Sequence, residues 1–162
     1  MAAAFPLSRP SPAEVASLYI HVPFCERKCL YCDFYSIETG SLIESFLSAV
    51  RTELDLWSER GKGTEFGTLF LGGGTPSLLT PAQLDGLLSH VYSRFAITRD
   101  AEITVETNPG TVDPAKLAAY RSLGVNRLSI GIQSFIPREL EFLSRIHDRE
   151  EAIRCVQSAR AA

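Results

Sequence analysis

The chain has 162 residues, 45% of them hydrophobic and 22% charged, with a formal net charge of −3 at pH 7. That is the composition of a globular protein with a sizeable core. Its weak acidity leaves no electrostatic footprint for nucleic acid or an anionic membrane, and no apolar run approaches the roughly 20 residues that span a bilayer.

Residues 1–17 are rich in Ala, Ser and Pro. Pro6 interrupts their one apolar stretch, which is too short for a signal-peptide core. They read as a disordered extension of a cytoplasmic protein, with a short targeting peptide as the alternative. Residues 18–22 (LYIHV) read as a buried strand ending at Pro23, followed by a cysteine-bearing loop to Ser36. Residues 41–60 carry Leu42, Phe46, Leu47, Val50, Leu54 and Trp57 near helical spacing, and Gly61 stops that helix.

Residues 68–71 form a second predicted strand, ended by Gly72-Gly73-Gly74. Thr80-Pro81-Ala82-Gln83 has the form of an N-cap, a Pro at the first helical position and a capping-box Gln, opening a helix to about Phe95. Residues 102–106 (EITVE) are the third strand. Asp113-Pro114 opens a helix that Gly124 stops, and residues 126–132 (NRLSIGI) are the fourth strand. Residues 137–145 and 148–161 read as helices, the latter with capping-box spacing between Asp148 and Glu151.

Strand–helix alternation with short connections predicts an α/β fold, a parallel sheet with right-handed crossovers. Active sites of such folds lie at the carboxyl ends of the strands. The unusual residues of this chain fall there: the cysteine loop, the Gly72–Ser77 turn, the Glu106–Thr111 segment and Gln133–Phe135. Four loops thus converge on one rim.

Cys25, Cys29 and Cys32 have the spacing C-x3-C-x2-C. Such clustering points to metal binding rather than to disulfides. Thiolates suit zinc or an iron–sulfur cluster. Closed zinc sites want four ligands, and His21, on a strand, is a doubtful fourth. A [4Fe–4S] cluster held by three cysteines keeps one iron open to chelate the amino and carboxylate groups of S-adenosylmethionine (SAM). Cys155 reads as a small apolar residue on a helix face.

The Gly72-Gly73-Gly74-Thr75-Pro76-Ser77 turn lacks the P-loop Lys and the G-x-G-x-x-G spacing. It is either a plain tight turn or, beside a cysteine triad, a place where backbone meets the methionyl part of SAM. Glu106 is a strand-end acid or a SAM acceptor. Gln133 is a loop-capping amide or a ligand contact. Arg145 is a solvated residue or a carboxylate clamp. Tyr19 and Tyr31 are packing aromatics by default, and His21, His90 and His147 lack a catalytic arrangement.

The runs Tyr19-Ile-His-Val-Pro-Phe-Cys25 through Phe34, Gly72–Ser77, Glu106-Thr-Asn-Pro-Gly110 and Val125–Phe135 resemble the radical-SAM family of oxygen-independent coproporphyrinogen III oxidases and the related haem chaperones HemW. The resemblance covers nearly the whole chain after residue 17. It implies the first four βα units of a partial, TIM-like barrel with outer helices and the cluster at its rim. It implies Cys25, Cys29 and Cys32 as cluster ligands and Tyr19, Tyr31, Gly73, Gly74, Thr75, Glu106, Gln133 and Arg145 as SAM contacts. The oxidase branch resembles C-x3-C-x2-C-x-C, and Phe34 stands at the additional cysteine. Phe34 and the Asn108-Pro109-Gly110 segment resemble the HemW branch, which handles haem and delivers it to respiratory proteins. Membrane association would then come only through a partner. The alternatives are a coproporphyrinogen dehydrogenase and a non-catalytic zinc module. Family members continue further, with later strands and, in HemW, a haem-binding motif. Residues 18–162 are therefore expected to be an incomplete core domain, cut before a fifth strand, with an exposed sheet edge and poor stability alone.

Overall fold

The computed structural model describes residues 15–162. The element order is β1 (Ala16–Val22), α1 (Ile43–Ser58), β2 (Glu65–Gly73), α2 (Pro81–Arg94), β3 (Ala96–Thr107), α3 (Pro114–Ser122), β4 (Arg127–Ile130), α4 (Pro137–Phe142) and α5 (Arg149–Ala161). Short 3-10 turns at Gly40–Leu42 and Pro76–Leu78 lead into α1 and out of the glycine turn. The four strands form one sheet in the order β1-β2-β3-β4, every pair parallel.

Sequential strand order with right-handed crossovers places the connecting helices on one face. Accordingly α1 packs beside α2, α2 beside α3 and α3 beside α5. Ile20, Val22, Leu69, Leu71, Ile103 and Val105 point into the core under that layer and meet Leu47, Leu84, Leu88 and Val91 from the helices. The intervening strand residues face the other way. There Tyr19 stacks on Phe70, and Arg127 lies 3.6 Å from Glu102. A parallel sheet covered on both faces is apolar on both; this sheet is apolar on the helix side and mixed on the other.

The expected capping is present. Thr80 accepts from the Gln83 backbone, and the Gln83 side chain accepts from the Thr80 backbone. Asp148 and Glu151 repeat the arrangement on α5. The Tyr120 hydroxyl, buried at the foot of α3, donates to Leu79 O at 2.5 Å. Burial pushes its pKa far above the ordinary phenol value. Gly86 lies exposed within α2, and a Cβ there would meet nothing within 4 Å. Gly86→Ala is expected to raise stability by about 1 kcal/mol, because alanine loses less backbone freedom on folding. The check is thermal unfolding, with a gain of roughly 2–4 °C for a chain of this size.

Several boundaries differ from expectation, β2 among them, which runs over Glu65–Gly73 rather than 68–71. The extension expected over residues 1–17 lies outside the described residues as far as residue 14; Ala16 and Ser17 belong to β1, pairing with Phe66 and Thr68. β3 begins at Ala96, six residues early, because Ala96 and Ile97 pair with Glu65 and Phe66 before the register jumps. β4 stops at Ile130 and α4 at Phe142, both short of the expected ends. None of the four β4 residues is fully buried, so the edge beyond β3 is open.

Candidate functional site

The carboxyl ends of the strands surround a cavity of about 210 Å³. Cys25, Cys29, Tyr31 and Cys32 line it from the loop after β1, and Gly73, Gly74 and Thr75 from the end of β2. Glu106 and Asn108 enter from the end of β3, and Gln133 and Arg145 from beyond β4. Phe34, 63% exposed, completes the wall beside the cysteines.

The cysteine loop is closed by backbone pairing. Cys25 N–H donates to Ile37 O at 3.0 Å and Ile37 N–H to Pro23 O at 2.8 Å. On the other side, Gly74 N–H donates to Val22 O at 2.9 Å and Thr75 N–H to Phe24 O at 2.7 Å. The first cysteine therefore hangs on an extension of β1 held from both flanks. Gly74 is required for this approach. A Cβ there would lie 2.7 Å from Phe24 O and 3.0 Å from Cys25 Sγ.

The three cysteines are free and half-buried. Thr75 Oγ1 donates to Cys25 Sγ at 3.7 Å, and Arg145 Nη1 to Cys29 Sγ at 3.3 Å. Both donors suit sulfur that carries negative charge. Among the described residues, no three His, Cys, Asp or Glu side chains converge on a single-ion site. A cubane cluster makes a different demand, because each thiolate reaches its own iron. Three sulfurs around one cavity, two of them supplied with donors, fit such a cluster.

Glu106 Oε2 accepts from Gly73 N–H at 2.8 Å, so the carboxylate is fixed across the β2–β3 gap. Tyr19 stays beside the cavity rather than in its wall, its hydroxyl 3.0 Å from His21 Nδ1. Partial burial, with Glu106 nearby, pushes the Tyr19 phenol up. Burial likewise raises the Tyr31 hydroxyl; Arg145 pulls against that shift and Cys29 adds to it. Gln133 has φ of 68° at the bend that follows β4.

Arg145 does not end a helix, as the sequence pattern suggested. Helix α4 closes in a Schellman turn: Ser144, at φ of 56°, donates to Glu141 O, and Arg145 N–H to Leu140 O at 2.8 Å. That reversal returns the guanidinium to the cavity, where its buried Nε lacks a partner. A buried unpaired donor costs about 1–3 kcal/mol, and a ligand carboxylate would satisfy it.

The histidines are structural. His21 and His90 bond neighbouring backbone and Asp55, and His147 Nε2 donates to Ile132 O. Cys155 is buried on α5 and lines no part of this cavity; burial raises its thiol. Asn108 was not singled out as a site residue. Its amide accepts from Arg145 Nη2 at 2.7 Å and donates to Thr75 Oγ1 at 2.9 Å. Its signals in the sequence are its place in a rim loop and in the Asn108-Pro109-Gly110 segment, neither of which points to a role for its side chain.

A parallel sheet of this order with a cysteine loop after its first strand defines a half-barrel of the radical-SAM type. Residues 19–162 match the pattern of the Radical SAM superfamily, and the chain belongs to it. Membership implies SAM and a [4Fe–4S] cluster as cofactors. The chain is 43% identical to the Escherichia coli heme chaperone HemW over 145 residues, covering 88% of this chain and 38% of that protein. It is 37% identical over 160 residues to mouse radical S-adenosyl methionine domain-containing protein 1, mitochondrial, of which it covers 35%. Among solved structures it resembles Escherichia coli coproporphyrinogen III oxidase (HemN), described as a radical SAM enzyme, with TM-score 0.86, 31% identity, and coverage of 93% of this chain and 35% of that one. The chain thus spans well under half the length of these relatives. No helix among the described residues is long and apolar enough to cross a membrane.

Proposed function

We propose that this chain is the SAM- and cluster-binding portion of a HemW-like haem chaperone that delivers haem to respiratory proteins from the cytoplasm. The observation that carries the reading is Phe34. It stands on the cavity wall, two residues after Cys32, where the resemblance to the oxidases implies an additional cysteine. Similarity to proteins named HemW at 37–43% identity supports it.

In this reading Cys25, Cys29 and Cys32 hold the cluster. The cluster, when bound, supplies an open iron for SAM and a source of one electron. The chain's own residues bind and orient. Glu106, fixed by Gly73, offers an oxygen to the SAM amino group or ribose, and Arg145 offers its unpaired Nε to the carboxylate. Gly73, Gly74 and Thr75 bring backbone close to the methionyl portion. Tyr31 and Gln133 close the flanks, and Tyr19, on β1, lies near Glu106 across Gly72 of the intervening β2. Phe34 contributes an exposed apolar face to that wall and no thiol.

The test is incubation of the reconstituted protein with SAM, a reductant and coproporphyrinogen III. The expected result is no protoporphyrinogen. A chimera carrying this chain in place of the matching segment of Escherichia coli HemW is expected to keep haem transfer. Appearance of protoporphyrinogen, or loss of transfer in a folded, cluster-bearing chimera, overturns the reading in favour of the oxidase.

A further inference from the structure

We infer that Asn108 is a positioning residue that orders two hydrogen-bond donors onto two of the cysteine sulfurs, and so sets the reduction potential of the cluster they hold. The inference rests on reading Cys25, Cys29 and Cys32 as cluster ligands.

The donor directions follow from elementary chemistry. A guanidinium carries donors only. The Asn108 atom 2.7 Å from Arg145 Nη2 must therefore be the carbonyl oxygen, Oδ1. That orientation turns Nδ2 toward Thr75 Oγ1 at 2.9 Å, where the amide donates and the hydroxyl accepts. With its lone pair engaged, the Thr75 hydroxyl directs its proton to Cys25 Sγ, 3.7 Å away. On the other arm, Arg145 Nη2 is held between Asn108 Oδ1 and Gly131 O, each at 2.7 Å. This leaves Nη1 aimed at Cys29 Sγ, 3.3 Å away. One amide thus fixes the proton direction on both sulfurs.

The amide is itself held in place. Asn108 N–H donates to Ser77 Oγ at 3.3 Å, and Thr111 Oγ1 donates to Asn108 O at 2.7 Å. Lys116 Nζ donates to both Ser77 O and Thr111 O, tying together the loops that carry Thr75 and Asn108. A Cβ at position 131 would lie 2.7 Å from Asn108 Oδ1, so glycine there leaves the room the amide uses. Thr75 is 3% exposed, which shelters its bond to sulfur from competing water.

Hydrogen bonds to the sulfurs are among the determinants of cluster potential. Donors stabilise the reduced, more negative cluster, so removing them lowers the potential. The experiment compares the unsubstituted protein with Asn108→Ala and Thr75→Val after anaerobic reconstitution. Iron and sulfide are counted, and the cluster is titrated potentiometrically by electron paramagnetic resonance without SAM. Both variants are expected to hold the full cluster. At the midpoint of the unsubstituted protein, the reduced-to-oxidised ratio of Asn108→Ala is expected to fall about tenfold, which is 59 mV for a one-electron couple. Thr75→Val is expected to shift in the same direction by less.

An unchanged potential in a cluster-bearing Asn108→Ala overturns the inference. If that variant assembles no cluster, Thr75→Val decides: a lowered potential upholds the inference and an unchanged one overturns it. Loss of the cluster from both variants also overturns it, because orienting donors leaves ligation intact. If the unsubstituted protein itself assembles no cluster, the ligand reading fails, an outcome that iron counting separates from all the others.

Discussion

Cys29→Ala is expected to abolish cluster assembly, while Cys155→Ala leaves it intact. The first substitution reduces the cavity's cysteine sulfurs from three to two. It also strips Arg145 Nη1 of its acceptor in a half-buried site. Thiolate is the ligand form, and a methyl group offers no substitute. The second substitution removes a buried sulfur from the face of α5, away from the cavity. Its cost is about 1 kcal/mol of stability, on the scale of one buried methylene. Iron content and the low-temperature resonance signal after reconstitution decide the matter. A full cluster in Cys29→Ala, or none in Cys155→Ala, shows that the ligands are misassigned. Tight zinc binding with no cluster in the unsubstituted protein would restore the zinc alternative.

Gly74→Ala is expected to damage both the fold and SAM binding. The added Cβ would lie 2.7 Å from Phe24 O and 2.9 Å from Pro23 C, and both are backbone atoms. They cannot rotate away as the end of a long side chain could. Relief requires pulling the glycine turn off the β1 extension, against Gly74 N–H to Val22 O and Thr75 N–H to Phe24 O. Overpacking of this kind costs roughly 1–3 kcal/mol, and each lost hydrogen bond adds about 1 kcal/mol. The same displacement moves Cys25, since its Sγ would be only 3.0 Å from the new methyl. We expect a lower urea midpoint and SAM affinity weakened at least tenfold, measured by equilibrium dialysis. Unaltered values for both would mean that the close approach is not needed. Gly86→Ala, the same chemical change in open space, is the control.

Gly74 and Gly86 show where legibility ended. Both are plain glycines in the chain, one in a triple-glycine turn and one in a helical pattern. The turn was readable as a place of close backbone approach, but what approached was not. The Gly86 pattern carried no sign of whether a neighbour stood over it. The same limit explains β3. Residues 96–101 include Arg99 and Asp100, which break the apolar alternation that marks a strand. They extend because Ala96 and Ile97 find partners on β2, a pairing that local pattern does not encode. Arg145 is similar. Helical spacing ran on through it, whereas Ser144 takes a left-handed conformation that periodicity does not record.

The elements, their parallel order and the candidate ligands can be read from local sequence alone. Strand and helix periods, caps and C-x3-C-x2-C are written within a few residues of one another, and local chemistry is enough to read them. The rim also followed, since short βα connections send every loop after a strand to the same end of the sheet. The contacts made across that rim come from the three-dimensional fold. Arg145 reaches Cys29 over a separation of 116 residues and Asn108 over 37, and Asn108 reaches Thr75 over 33. Such contacts depend on the register of β1, β2 and β3 and on the reversal after α4. No spacing along the chain encodes that sum, and so the cysteines were visible at once while the amide behind them was not.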